Sequence, residues 1–128
     1  MFFRSARTTL TIFVFLFFAP YAVAEEVQLE AAEIEELLAG NTISGTWSGT
    51  QYKQFYEADG LTVYVPDGGS ADEGKWRVDP ATDNYESWWE ATGWVGYQIV
   101  RDGDTYYWVD GDGGRHPFVV LEGKQVSW

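Results

Sequence analysis

The stretch TISGTWSGT, residues 42–50, decides the fold of this chain. Its even positions are all serine or threonine, and its odd positions are Ile43, Gly45, Trp47 and Gly49. Side chains that alternate with a period of two are typical of a β-strand with one buried face. The stretch therefore predicts a strand that turns Ile43 and Trp47 toward a core, with glycines where the backbone bends or is closely approached.

Turn signals, most of them Asp-Gly, Gly-Gly or Asp-Pro, recur at short intervals from residue 59 to residue 123. They separate short segments rich in β-branched and aromatic residues, at 51–58, 61–65, 74–78, 85–90, 94–101, 105–109 and 117–121. This spacing is typical of an antiparallel meander that forms a barrel or a sandwich. We predict a mainly β domain over residues 42–128, with about seven or eight strands.

The residues before this domain predict one helix over 25–39, with its cap ending at residue 41. Apolar side chains recur at helical spacing at Val27, Ala31, Ile34 and Leu38. Glutamates cover much of the remaining surface, which is typical of a solvated face. Gly40 and Asn41 both tolerate the left-handed backbone with which many helices end.

Residues 1–24 have the pattern of a secretory signal peptide. Arg4 and Arg7 precede an apolar run at 10–18, and Ala-Val-Ala at 22–24 suits a signal peptidase. The run is too short to cross a bilayer comfortably. We therefore expect cleavage after Ala24 and a soluble periplasmic or secreted product without a membrane anchor.

Charge and cysteine content narrow the classes of partner. The full chain has a formal net charge of −12, and the signal removes two of its eight basic residues and none of its 20 acidic ones. Because a surface this acidic repels phosphate backbones and anionic lipids, we expect no nucleic-acid partner. The chain has no cysteine, and its seven tryptophans are expected to supply the core that disulfides support in many small exported domains.

Five short motifs follow one another along the chain. They are LLAGNTISGTW (37–47), YEADGLTVY (56–64), GKWRVD (74–79), SWW (87–89) and RDGDTYYWV (101–109). In this order they resemble the DUF995-like family of small uncharacterised exported alphaproteobacterial proteins. The resemblance implies an exported β-rich domain and brings no activity, ligand or catalytic residue. It also implies a cysteine pair within 85–97, where this chain has Glu86 or a neighbour and Gly96.

Two acidic residues beside tryptophans are candidates for catalysis. Glu86 and Glu90 flank Trp88, and on a strand these three side chains share one face. Paired carboxylates among rings are the arrangement that glycoside hydrolases use. The alternative is that this face meets water while Tyr85, Ser87 and Trp89 point inward, and no residue is assigned a catalytic role.

Metal and histidine chemistry has little support in the sequence. Asp110 and Asp112 begin a calcium-loop pattern, but Arg115 stands where that loop needs glycine and Leu121 where it needs glutamate. A hairpin turn explains the same glycines. His116 is the only histidine, and the chain has no nucleophile motif such as G-x-S-x-G with which it could act. We predict that His116 lies in a loop. We expect no cofactor and no metal centre.

The aromatic residues are the strongest pointer to a function. The candidate ligand-binding residues are Trp88, Trp94, Tyr97 and Trp108, with Glu86 and Glu90 nearby. Rings beside acidic residues suit stacking on a neutral ligand or holding a cation. The leading hypothesis is a non-catalytic binding or interaction module. The alternatives are a small periplasmic hydrolase and a purely structural envelope protein in which the rings form the core.

Overall fold

A computed structural model describes residues 26–128 of the protein, together with residue 12 and residues 14–16. The predicted signal peptide, residues 1–24, lies almost wholly outside the described residues. The elements in the described part are β1 Glu26–Gln28, α1 Ala31–Leu38, β2 Thr42–Trp47, β3 Thr50–Tyr56, β4 Leu61–Pro66, β5 Asp72–Asp79, β6 Asn84–Trp89, β7 Gly93–Asp102, β8 Thr105–Val109 and β9 Arg115–Leu121.

The strands after the helix form a closed antiparallel barrel. Each strand from β2 to β9 pairs with the next one along the chain, and β9 pairs back onto β2, with Gly45 opposite Phe118. The prediction of a mainly β fold is confirmed, with eight strands following the helix. Of the two predicted architectures, the chain adopts the barrel. Closure pairs the backbones of the first and last barrel strands, which would be free edges in an open sheet.

The core lies inside the barrel and beneath the helix. Ile34 and Leu38 of α1 are completely buried and pack against barrel residues such as Ile43 and Ile99. The start of the helix is tied to the β5–β6 loop, because the backbone N–H of Ala31 donates to Asp83 Oδ1 at 2.9 Å. α1 therefore covers one end of the barrel.

The predicted helix over 25–39 is wrong at its beginning. Residues Glu26–Gln28 form β1, which pairs with β7, and Val27 is 42 % exposed rather than buried. β6 pairs with β7 only as far as Tyr97, so the edge of β7 beyond that residue offers unpaired backbone groups. Because β1 satisfies these groups, residues 26–28 become a strand, and the helix starts later, at a capping box of Glu30 and Glu33.

Candidate functional site

The barrel contains a cavity of about 390 Å³ at the end opposite α1. Its wall is built largely from aromatic side chains, namely Trp47, Tyr52, Tyr56, Tyr64, Tyr85, Trp89, Tyr97 and Trp108. Ala91 and Thr92, in the exposed turn between β6 and β7, lie at its mouth together with Asp72 at the exposed start of β5. This cavity inside the barrel is our candidate site.

Because side chains alternate between the two faces of each strand, every second residue of a strand points to this wall. On β6, Tyr85, Ser87 and Trp89 all line the cavity. This agrees with the alternative interpretation of that strand, in which these three side chains point inward. Trp89 is not among the predicted binding residues, although its phase with Tyr85 is a signal that could have found it. Tyr52 of β3 and Tyr64 of β4 are not predicted either, and Tyr64 meets Trp89 of β6 only because the sheet curls into a barrel.

Two glycines make room for these rings. A β-carbon on Gly74 would lie 2.7 Å from Cε3 of Trp89 and 2.5 Å from the carbonyl oxygen of Trp88. A β-carbon on Gly45 would lie 3.2 Å from the hydroxyl of Tyr52. Both glycines begin a Gly-x-Trp motif, so the repeated motif marks two points where a neighbouring side chain crosses the backbone closely.

Several polar side chains of the wall are hydrogen-bonded to one another. Trp108 Nε1 donates to the Tyr52 hydroxyl at 3.2 Å, and the Tyr85 hydroxyl donates to that of Tyr56 at 3.4 Å. Trp89 Nε1 donates to Ser87 Oγ at 3.2 Å. In the described part of the chain, no buried side-chain nitrogen or oxygen is without a partner. These hydrogen bonds orient the rings that make them without any ligand being bound.

Burial keeps the phenols of the wall uncharged. Burial raises the pKa of Tyr52 to about 12, from an ordinary value of 10.0, against the opposing effect of its hydrogen bond from Trp108. It also raises the pKa values of Tyr56 and Tyr85 well above that ordinary value. The wall therefore keeps neutral hydroxyls not only at neutral pH, where any tyrosine is protonated, but also above the ordinary tyrosine pKa of 10.0.

Alkaline solution is expected to destabilise the protein through these phenols. Because their folded-state pKa values exceed that of unfolded tyrosine, the folded state binds the phenolic protons more tightly. Their stabilising contribution is complete below about pH 10 and is lost as the pH rises toward about 12. Urea unfolding at about pH 8 and about pH 11 measures the change. An unchanged free energy of unfolding at the higher pH would contradict the expectation.

The predicted aromatic face is divided between two surfaces. Tyr97 and Trp108 line the cavity, whereas Trp88 and Trp94 are cross-strand partners on the outside of the barrel. Two of the four candidate ligand-binding rings therefore border the cavity, and the other two lie outside it. Trp94 and Tyr97 are three residues apart on β7, and an odd separation along a strand puts two side chains on opposite faces.

The two candidate carboxylates also lie away from the cavity. Glu86 accepts a hydrogen bond from Arg77 Nε at 3.1 Å on the outer surface, and Glu90 is exposed in the turn after β6. The guanidinium of Arg77 also stacks over Trp94, 3.8 Å from the ring centroid. Glu86 and Glu90 therefore lie on a solvated outer face and do not form an enclosed pair of carboxylates. Glu86 is the cross-strand partner of Gly96, the other position at which the resemblance implies a cysteine.

Asp110 holds a hairpin turn instead of beginning a calcium loop. Its Oδ1 accepts hydrogen bonds from the backbone N–H groups of Asp112, at 3.0 Å, and Gly114, at 2.8 Å. Its Oδ2 lies 2.9 Å from His116 Nε2, and these contacts, that of His116 foremost, hold the pKa of Asp110 below its usual value. The carboxylate is thus already engaged. No three His, Asp or Glu side chains of the described residues are grouped so as to hold a metal ion.

His116 lies in β9, and the prediction of a loop position is wrong. It faces into the barrel because Trp108, its cross-strand partner, does the same. Its ring packs on Trp47, with centroids 4.1 Å apart, and Trp47 in turn contacts Tyr97. His116 therefore packs against Trp47 of the cavity wall, although it is not itself among the residues that line the cavity.

The fold and the site define the protein as an eight-stranded antiparallel barrel with an internal aromatic cavity open at one end. Comparison of the chain with protein-family models, curated proteins and solved structures finds no match. The resemblance to the DUF995-like family accordingly stays a prediction from its motifs. Among the described residues, no helix is long and apolar enough to cross a membrane.

Proposed function

We propose that the protein is a non-catalytic binding module that holds one small molecule inside its barrel. The cavity of about 390 Å³ is the observation that carries this proposal. The interior of an eight-stranded barrel is just wide enough to be filled by side chains or to hold one small ligand. Here the side chains of the open end leave space unfilled, and its volume is within the range of ligand sites.

The composition of the wall supports a ligand with a large apolar or aromatic surface. Ligand sites are mostly lined by apolar and aromatic side chains, with a few polar groups that orient the ligand. Gln54 and Ser87 are such groups on this wall. Because neighbouring rings brace one another, as Trp47 and Tyr97 do edge to face at 5.7 Å, little conformational entropy remains to be lost on binding.

Export is part of the same proposal. The signal-peptide pattern of residues 1–24 supports a periplasmic or secreted location, and the excess of acidic residues supports a soluble product. A module of this kind would carry or sense its ligand outside the cytoplasm. Neither nucleic acid nor an anionic lipid surface is among the partners that we propose.

A blocked cavity provides the test. Val95 lines the cavity and is half-buried, so Val95→Phe is expected to place a ring in the space that the ligand needs. Val119, 57 % exposed on the outside of β9, makes Val119→Phe a matched control. We expect the uncharged fluorescent dye prodan to bind the wild type and the control, and to bind Val95→Phe at least about tenfold more weakly, a loss of about 1.4 kcal/mol.

Two results would overturn the proposal. One is a wild-type protein that binds neither prodan nor any small molecule retained from a periplasmic extract, as read by native mass spectrometry. The other is equal prodan affinity in both variants when circular dichroism shows that both are folded, because the dye would then sit outside the barrel.

A further inference from the structure

We infer that the cavity selects an organic cation, a quaternary ammonium or protonated amine attached to an apolar or aromatic group. This inference rests on the proposed function and names the chemical class of its ligand. Three features of the molecule support it: the charges around the cavity, the ring types of its wall, and the behaviour of the rings on the outer surface.

The charges around the cavity favour a cation. None of the described residues that line it is Lys, Arg or His, and within residues 26–128 the one carboxylate on the lining is that of Asp72. Asp72 is exposed at the mouth and faces Tyr64 across β4 and β5. An anionic ligand would meet this carboxylate and a net charge of −12 without a basic partner, whereas a cation would be attracted on approach.

The rings of the wall can replace the hydration of a cation. All eight aromatic residues that line the cavity are tyrosine or tryptophan, and the faces of such rings attract an ammonium group. Tyr64 and Trp89 near the mouth meet edge to face, with centroids 6.1 Å apart and planes at 74°. Perpendicular rings present faces on two sides of one space, which is the geometry of the aromatic cages that bind quaternary ammonium groups.

Aromatic rings on the outer surface of the protein pair with positively charged side chains. Arg77 stacks on Trp94 at 3.8 Å, Lys124 on Trp128 at 3.9 Å, and Arg115 on Tyr107 at 4.6 Å. Each of these rings outside the barrel thus has a side-chain cation from the same chain. Apart from Trp47, which packs on His116, the rings inside face a cavity whose described lining contains no basic side chain, so a cation held by these rings would come from a ligand.

Matched isosteres separate charge from shape. The probes are para-hydroxyphenyltrimethylammonium and para-tert-butylphenol, which have the same outline and hydroxyl and differ in a quaternary nitrogen or carbon. By isothermal titration calorimetry we expect the cation to bind at least tenfold more tightly than the phenol, and Val95→Phe to weaken both. This ratio arises because the phenol cannot gain the attraction between a positive charge and the ring faces.

A variant pair tests the role of Asp72. Asp72→Asn removes the carboxylate at the mouth and is expected to weaken binding of the cation about threefold to tenfold, with no change for the phenol. Glu73→Gln is the matched control, because Glu73 is the next residue on β5 and points to the outside. Equal losses in the two variants would overturn the assignment to Asp72, since a general charge effect would explain them.

The remaining outcomes separate this inference from the proposed function. If the phenol binds as tightly as the cation and Val95→Phe blocks it, the cation preference is overturned while the binding module stands. If neither probe binds and prodan does not bind either, both are overturned. A preference of tenfold or more that disappears in Val95→Phe supports both.

Discussion

Replacing Trp76 with alanine is expected to lower the free energy of unfolding by about 3–5 kcal/mol, the cost of deleting a large buried ring. Trp76 is 6 % exposed, and its Nε1 donates to the carbonyl oxygen of Glu57 at 2.8 Å. Its ring meets Tyr56 edge to face and stacks on Tyr85. The substitution would leave a cavity and would remove one of the two hydrogen bonds that the Glu57 carbonyl accepts, since the backbone N–H of Gly60 also donates to it at 3.1 Å, in a domain of ordinary marginal stability. Urea unfolding followed by circular dichroism measures the loss.

Trp94→Ala is the matched control for this experiment. Trp94 is 40 % exposed on the outside of β7, where its main described contact is the stacked guanidinium of Arg77. We expect it to cost about 0.5–1 kcal/mol, the usual contribution of an exposed cation–π contact. Similar losses in both variants would show that burial inside the barrel does not set the cost. Trp47 also points into the barrel, but it is half-buried at the open end, so we expect Trp47→Ala to cost less than Trp76→Ala.

Gly74→Ala is expected to destabilise the protein by about 1–3 kcal/mol, the usual cost of overpacking a well-packed site. The new methyl would lie 2.5 Å from the carbonyl oxygen of Trp88 and 2.7 Å from the ring of Trp89, closer than atoms in contact can approach. Because Trp89 lines the cavity, we expect its ring to shift into that space. The variant should therefore also bind prodan more weakly than the wild type.

Gly96→Ala controls for the change from glycine to alanine in a strand. Gly96 lies on β7, two strands away from Gly74 on β5, and the nearest atom to a β-carbon there would be Asn84 Nδ2 at 3.6 Å, an ordinary contact. Restricting the unfolded chain should make this variant as stable as the wild type or more stable by up to about 1 kcal/mol. If Gly74→Ala unfolds at the same urea concentration as Gly96→Ala, the close approach of Trp89 is not a constraint on the fold.

Local pattern was sufficient for the features that depend on neighbours along the chain. The alternation correctly turns Ile43 and Trp47 inward, and the turn signals correctly separate the strands from β3 to β9. The prediction of one strand over 42–50 is wrong at its end, because Ser48 and Gly49 adopt positive φ and form the turn between β2 and β3. Strand phase also correctly offered Tyr85, Ser87 and Trp89 as an inward set. A period of two is a property of each strand by itself, so it survives whatever the strand later pairs with.

Features that depend on distant residues needed the tertiary structure. A barrel and a sandwich share the same local pattern, and the choice lies in the pairing of β2 with β9, which joins residues more than 70 positions apart. Residues 26–28 have helical periodicity, but the free edge of β7 makes them a strand. The cavity arises in the same way. Its wall combines rings from six strands, β2, β3, β4, β6, β7 and β8. Whether these rings fill the interior depends on how far apart closure holds the strands, which no local pattern encodes.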